Sequence, residues 1–304
     1  MALTRRLEAV ASVPKGRRTK MANLASIRTL AAVAIAGATT IIQPMPQAQG
    51  RQPGPDQPAK HDGRPENASQ HTIELLLRDG VHQRVLYLAP KKPVGAIVML
   101  PGGAGNLGLE EDGDIRHSNN FVVRTRELWV QRGYAVVIPD TIERANLRGD
   151  RSSPQYAELV VELATFARSQ ASVPVFLLGT SQGSIAAMNG AANAPPGLVS
   201  GVILTESVSR LGGSGETVFS AAPENVRIPA LVVANRDDQC DVAPPGDAPR
   251  IAAALKNSPD VHIEFVSGGM VKSRKSCGSL TPHGYYRIEA KVVEIIAHWM
   301  DDHR

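Results

Sequence analysis

The sequence predicts an α/β fold: one mostly parallel sheet of eight strands, helices on both faces, and an antiparallel hairpin at its start. Three observations lead there. From residue 71 onward, short apolar runs rich in β-branched residues alternate with longer helical segments, the pattern of a buried parallel sheet. Asp79-Gly80 separates the first two strand-like segments, as a turn does. A strand runs directly into Gly179-Thr180-Ser181-Gln182-Gly183, and a small-residue helical segment, Ser184–Gly190, leaves it.

The elements follow in order. His71–Leu77 and Gln83–Leu88 are the two arms of the hairpin. Ala96–Leu100 is the first strand of the doubly covered kind. A helix over Phe121–Arg132, stopped by Gly133, precedes the strand Tyr134–Ile138. A helix over Tyr156–Ser169 leads to the strand Val173–Leu178, which carries the serine motif. Gly201–Thr205, Ala230–Ala234 and Val261–Phe265 are the remaining strands, and a helix over Tyr285–Met300 closes the chain. No internal repeat and no second core interrupts this order.

The first 70 residues differ in kind. Ten Lys/Arg stand there against four Asp/Glu, a net charge of +6, so the rest of the chain carries −2 of the overall +4. The basic excess therefore belongs to the leader, and the folded part presents no electrostatic case for nucleic acid. Arg17, Arg18, Lys20 and Arg28 precede an apolar, alanine-rich stretch, Leu30–Ile42, too short to span a bilayer comfortably. Residues 1–48 read as an export signal, with an uncleaved membrane anchor as the alternative and Met21 as a second candidate start. Either reading puts residues 71–304 outside the cytoplasm, periplasmic or secreted, and limits membrane contact to the N-terminal segment. Residues 49–70, rich in Pro, Gln, Gly and Asp, read as a disordered linker.

A Gly-x-Ser-x-Gly turn between a buried strand and a helix holds its serine at a strained backbone angle and lifts the hydroxyl clear of the sheet. Ser181 is thus a candidate nucleophile, the alternative being a serine in an ordinary first helical turn.

With motif and topology in place, residues 71–304 resemble the α/β-hydrolase superfamily, specifically an esterase-like serine hydrolase. The resemblance implies a chain order of nucleophile, acid and histidine, each on a loop beyond a strand. Ser181 takes the first place. His283, in Thr281-Pro282-His283-Gly284-Tyr285, lies between the last strand and last helix, where the histidine belongs; the other histidines lie elsewhere. Asp238, in Asn235-Arg236-Asp237-Asp238-Gln239-Cys240, is the preferred acid; Asp237, Glu206 and Asp241 stay open as alternatives. Relatives often carry a His-Gly-Gly run after the third strand; here Leu100-Pro101-Gly102-Gly103-Ala104-Gly105 has proline in place of the histidine. The implied oxyanion donors are the main-chain N–H of Gln182 and that of Gly103 or Ala104.

The resemblance implies hydrolysis of carboxylic esters or related acyl bonds of small substrates, with no cofactor and no metal. A peptidase or amidase of the same fold, or a binding protein with an inactive site, is the alternative. About two dozen residues, Glu206–Ile228, separate the strand at Thr205 from the next, too few for the large helical lid of many lipases. The acidic loop Gly105–Asn120 and the basic loop Val266–Pro282 read as solvated surface beside the site. The chain has two cysteines, Cys240 and Cys277. In an oxidising compartment they pair as one disulfide joining the acid loop to the histidine loop; two buried free thiols are the alternative.

Overall fold

The computed structural model describes residues 68–304; the leader and nearly all of the linker lie outside the described residues. The hairpin arms are β1 (Ala68–Leu76) and β2 (His82–Pro90), paired antiparallel with Ile73 opposite Val85. Gly80 turns between them at φ 86°, and the Asp79 side chain accepts the N–H of Val81 at 2.9 Å. β1 begins three residues before the expected His71, so Ala68–Gln70 belongs to the sheet and not to the linker.

The strands β3 (Gly95–Leu100), β4 (Tyr134–Pro139), β5 (Val175–Thr180), β6 (Gly201–Thr205) and β7 (Ala230–Asn235) are buried along their whole length. β8 (Val261–Val266) forms the half-exposed far edge. The sheet order is β1-β2-β4-β3-β5-β6-β7-β8, parallel from β4 to β8. Five helices cover it: α1 (Phe121–Gln131), α2 (Pro154–Gln170), α3 (Gln182–Asn193), α4 (Ala248–Ala254) and α5 (Glu289–Asp302).

The alternation of side chains along each strand divides the interior into two cores. Val98, Leu100, Val175, Leu177, Val202 and Val232 pack with residues of α2, α3 and α4. Ile97, Met99, Phe176, Leu178, Ile203 and Leu231 pack with α1 and α5 on the opposite face. Helix starts follow local chemistry: the Ser153 hydroxyl accepts the N–H of Tyr156 at 3.1 Å, with Pro154 in the first turn of α2.

Two helices depart from expectation. α4 is a two-turn element whose seven residues are too few for a periodic signal. α5 begins at Glu289 instead of Tyr285, because Tyr285 and Arg287 have φ of 53° and 77°, which no right-handed helix accommodates.

The topology also decides where a ligand site can form. The chain leaves β3 for β4 on one side and returns to β5 on the other, so the connections diverge between β3 and β5. Crevices of α/β sheets open at such a point, beyond the carboxyl ends of the strands. The β3–β5 register sets Leu100 opposite Gly179, which brings the Pro101–Gly105 turn beside Ser181.

Candidate active site

Ser181 stands between β5 and α3 with φ 53° and ψ −121°, a region L-residues rarely occupy. Its N–H donates to the Thr205 carbonyl at 2.9 Å, and its carbonyl accepts the Ser184 hydroxyl at 2.6 Å. Close approach explains the flanking glycines. A Cβ at 179 would lie 2.2 Å from the Gly183 carbonyl oxygen, and one at 183 would lie 2.0 Å from that of Leu100. These contacts press the elbow against β3 and leave the strained serine no room to relax.

His283 sits in a short 3-10 turn, Pro282–Gly284, initiated by the Thr281 hydroxyl, which accepts the His283 N–H at 3.2 Å. The imidazole is 3% exposed. Its Nε2 lies 2.9 Å from Ser181 Oγ and its Nδ1 lies 2.7 Å from Asp238 Oδ2. An ionised carboxylate only accepts hydrogen bonds, so Nδ1 carries the proton and Nε2 presents its lone pair to the serine hydroxyl. Asp238 Oδ1 accepts the N–H of Cys240 at 2.8 Å, which orients the carboxylate.

The other acids turn elsewhere. Asp237 is exposed, and its Oδ2 accepts the Gly268 N–H at 2.7 Å. Asp241 is exposed. Glu206 is buried at the end of β6, where Oε1 accepts the Asn235 N–H at 2.8 Å. Burial, reinforced by the adjacent Asp238, holds the Glu206 carboxyl well above the usual carboxylate range. One atom from each of Glu206, Asp238 and His283 lies within 4.8 Å of the others, the spacing that a cation site needs. Both Asp238 oxygens and both imidazole nitrogens are already engaged by protein groups, so the cluster reads as a hydrogen-bonded relay.

Beside the hydroxyl, Gly103 turns at φ 64°. The main-chain N–H groups of Gly103, Ala104 and Gln182 make no hydrogen bond among the described residues. Gln182 opens α3, whose first N–H groups have no partner within the helix and favour negative charge. Behind the turn, the guanidinium of Arg151, 1% exposed, donates to the Pro101 carbonyl at 3.1 Å.

Ser181, His283, Gly103 and Ala104 line a cavity of about 350 Å³ whose walls also include Leu107, Arg116, His117, Phe121 and Ser279. Arg116 and His117 belong to the loop expected to be plain surface, so part of that loop is wall. Glu110 of the same loop pairs with Arg116 instead of facing the cavity. Lys272, Arg274 and Lys275 are exposed and off the wall. Cys240 and Cys277 form a disulfide with Cα atoms 4.6 Å apart, and Cys277 lines the cavity. Between β6 and β7 the chain makes two short 3-10 turns, Val218–Ala221 and Pro223–Asn225, and no α-helix. No helix among the described residues is long and apolar enough to cross a membrane.

Two residues that sequence reasoning passed over hold the site together. Asn235 donates from Nδ2 to the carbonyls of Gly268 and Pro282 at 2.9 and 3.0 Å, joining the acid strand to the histidine turn. Arg124 on α1 donates to the carbonyls of Asn119, Ser279 (3.0 Å) and Gly284 (2.6 Å) and pairs with Glu289. No local sequence pattern marks either, because their partners are distant in the chain.

The fold is that of the α/β-hydrolases. Among solved structures, a dienelactone hydrolase from Anabaena variabilis matches with a TM-score of 0.54 at 15% identity, over 78% of this chain and 99% of that one. A Pyrococcus furiosus esterase matches at 0.53 and 12% identity, over 76% of this chain and 91% of its own. The Pyrococcus horikoshii acylaminoacyl peptidase matches at 0.54 and 14% identity over 78% of this chain, which spans 41% of the peptidase's length. No protein-family model and no curated protein matches the sequence.

Proposed function

We propose that the chain is a serine hydrolase that cleaves carboxylic esters or related acyl bonds of small substrates. The observation that carries this reading is the unbroken chain from Ser181 Oγ through His283 to the Asp238 carboxylate.

A serine hydroxyl is a weak nucleophile at neutral pH. His283 Nε2 takes its proton as Oγ attacks the acyl carbon, and Asp238 stabilises the imidazolium that forms. Negative charge then develops on the former carbonyl oxygen. The unpaired N–H groups of Gln182 and of Gly103 or Ala104 are the donors for it, and one such donor is worth about 3–4 kcal/mol at the transition state. His283 next protonates the leaving group, and a water activated by the same imidazole hydrolyses the acyl-enzyme.

A cavity of about 350 Å³ suits a small acyl group, and the missing helical cover suits a dissolved substrate. Export fits the disulfide, which persists in an oxidising compartment. The fold is shared by an esterase and by a peptidase, and fold alone does not choose between their substrates.

Turnover of a short p-nitrophenyl ester and of a peptide anilide, with fluorophosphonate labelling, tests the reading. Wild type is expected to label and to favour the ester, and Ser181→Ala to lose labelling and about 10⁴-fold or more in rate. Undiminished turnover by Ser181→Ala overturns the assignment.

A further inference from the structure

A buried ionisable group beside the Ser181–His283–Asp238 chain has no part in the mechanism above: the carboxyl of Glu206. The residue is 1% exposed and stands at φ 42°, in the left-handed region, immediately after β6. Strain of that kind persists where the surroundings over-determine a position, and it clusters at functional sites. The Glu206 N–H bonds the Val233 carbonyl at 3.1 Å, so the backbone is pinned from the neighbouring strand.

The two carboxyl oxygens of Glu206 have different surroundings. Oε1 accepts the Asn235 N–H, whereas Oε2 is buried and makes no hydrogen bond, with the Tyr285 hydroxyl beside the same carboxyl. What adjoins the group is another acceptor, the Asp238 carboxylate, within the 4.8 Å cluster that also holds His283. The remaining titratable neighbour is Tyr285, fully buried in the turn before α5, whose hydroxyl donates to the Val233 carbonyl at 3.2 Å. No Lys or Arg nitrogen lies within ion-pair distance of either carboxyl among the described residues. Two buried carboxylates beside one neutral imidazole would leave two uncompensated charges, and like charges sharing a site do not both ionise. Asp238 spends both oxygens on donors, so the shared proton resides on Glu206.

We infer that Glu206 is a positioning residue, protonated in the resting protein and donating a hydrogen bond from Oε2 to the Asp238 carboxylate. The relay then has four members, Ser181, His283, Asp238 and Glu206. The neutral acid braces the Asp238 carboxylate. It also keeps the negative charge facing His283 at a single unit.

This inference deepens the reading of Ser181 as nucleophile, and its test has an arm that needs no turnover. Infrared spectra of the full chain are recorded at neutral pH for wild type and Glu206→Gln, each also carrying Ser181→Ala as a background that cannot turn over. The expected difference contains the carbonyl stretch of a protonated carboxylic acid, lost in the Gln variant. A difference confined to carboxylate bands overturns the inference. If the Gln variant does not fold, the wild-type spectrum decides: a protonated-carboxyl band at neutral pH supports the inference, and its absence overturns it. In the kinetic arm, Glu206→Ala is expected to lower kcat about tenfold with little change in KM, and Gln to recover most of that loss. The acid limb of the pH profile is expected to stay in place in the Gln variant; a shift of that limb to lower pH means that a charge was removed, and overturns the inference. Undiminished turnover by Ser181→Ala would instead sink the serine assignment while leaving the infrared result standing.

Discussion

Asp238 holds the main-chain N–H of Cys240 at 2.8 Å, and Cys240 is bonded to Cys277 across 37 residues of sequence, on the loop that lines the cavity. The disulfide therefore anchors the residue that orients the Asp238 carboxylate. It couples the geometry of the relay to the redox state of the chain. Closing a loop of this length contributes about 4 kcal/mol in the chain-entropy model. Cys240→Ser with Cys277→Ser, or reduction of wild type, is expected to lower Tm by roughly 10 °C, measured by circular dichroism. Ester turnover should fall as well, because the Asp238 loop loses its tether. Equal melting temperatures with and without reductant would contradict this.

Asp237 and Asp238 are adjacent in sequence and opposite in environment. Asp238→Asn presents an amide donor to Nδ1–H and forces the wrong tautomer, which is expected to lower kcat about 10⁴-fold. Asp237→Asn keeps an acceptor for the Gly268 N–H at an exposed position and is expected to stay within about 0.5 kcal/mol in stability. Its rate should remain close to wild type. Comparable losses in the two variants would reassign the acid.

Glu206 makes stability depend on pH. Its folded carboxyl is raised above the ordinary 4.5 by burial and by Asp238, so the folded state keeps a proton that the unfolded state releases. The unfolded chain binds fewer protons above pH 4.5, and the Glu206 contribution to stability falls as pH rises from there toward the folded value. Glu206→Gln abolishes that slope. The Tm of the variant minus that of wild type is expected to increase between pH 5 and pH 8, read from melts in matched buffers. A difference that stays flat over this range would mean that Glu206 is already ionised in the folded protein.

The elbow tolerates no side chain at 183. A methyl there meets the Leu100 carbonyl oxygen at 2.0 Å and that of Pro101 at 2.9 Å, both in the backbone. Gly183→Ala is expected to cost more than about 4 kcal/mol or to abolish folding. Gly197→Ala is the control: its φ is 78° but nothing lies within 4 Å of the added methyl. That change is expected to cost about 1 kcal/mol. Urea denaturation of the two variants distinguishes steric collision from backbone strain alone.

Much of this molecule is legible in its amino-acid sequence. All eight strands are: β3 to β7, buried and parallel, are written as uninterrupted apolar runs, and the Asp79-Gly80 turn sets off the hairpin of β1 and β2; β6 spans the expected Gly201–Thr205. The helix ends are less so. Tyr285 continues the periodic pattern of α5, yet its φ of 53° places it in the turn that carries His283. A hydrophobic period records which face is buried, not where the backbone changes hand.

The sequence alone determined the elbow, the order of Ser181, Asp238 and His283 along the chain, and a pair of cysteines flanking two loops. Each is a local pattern, set by neighbours within a few residues. Only the tertiary structure decided that Asp238 and not Asp237 faces the imidazole, that Arg116 and His117 form wall, and that Asn235 and Arg124 bind the loops to one another. Those outcomes depend on strand register and on which side of a turn a side chain leaves. Residues 102 positions apart meet because the sheet sets β5 near the end of the chain, and no stretch of sequence encodes that distance by itself.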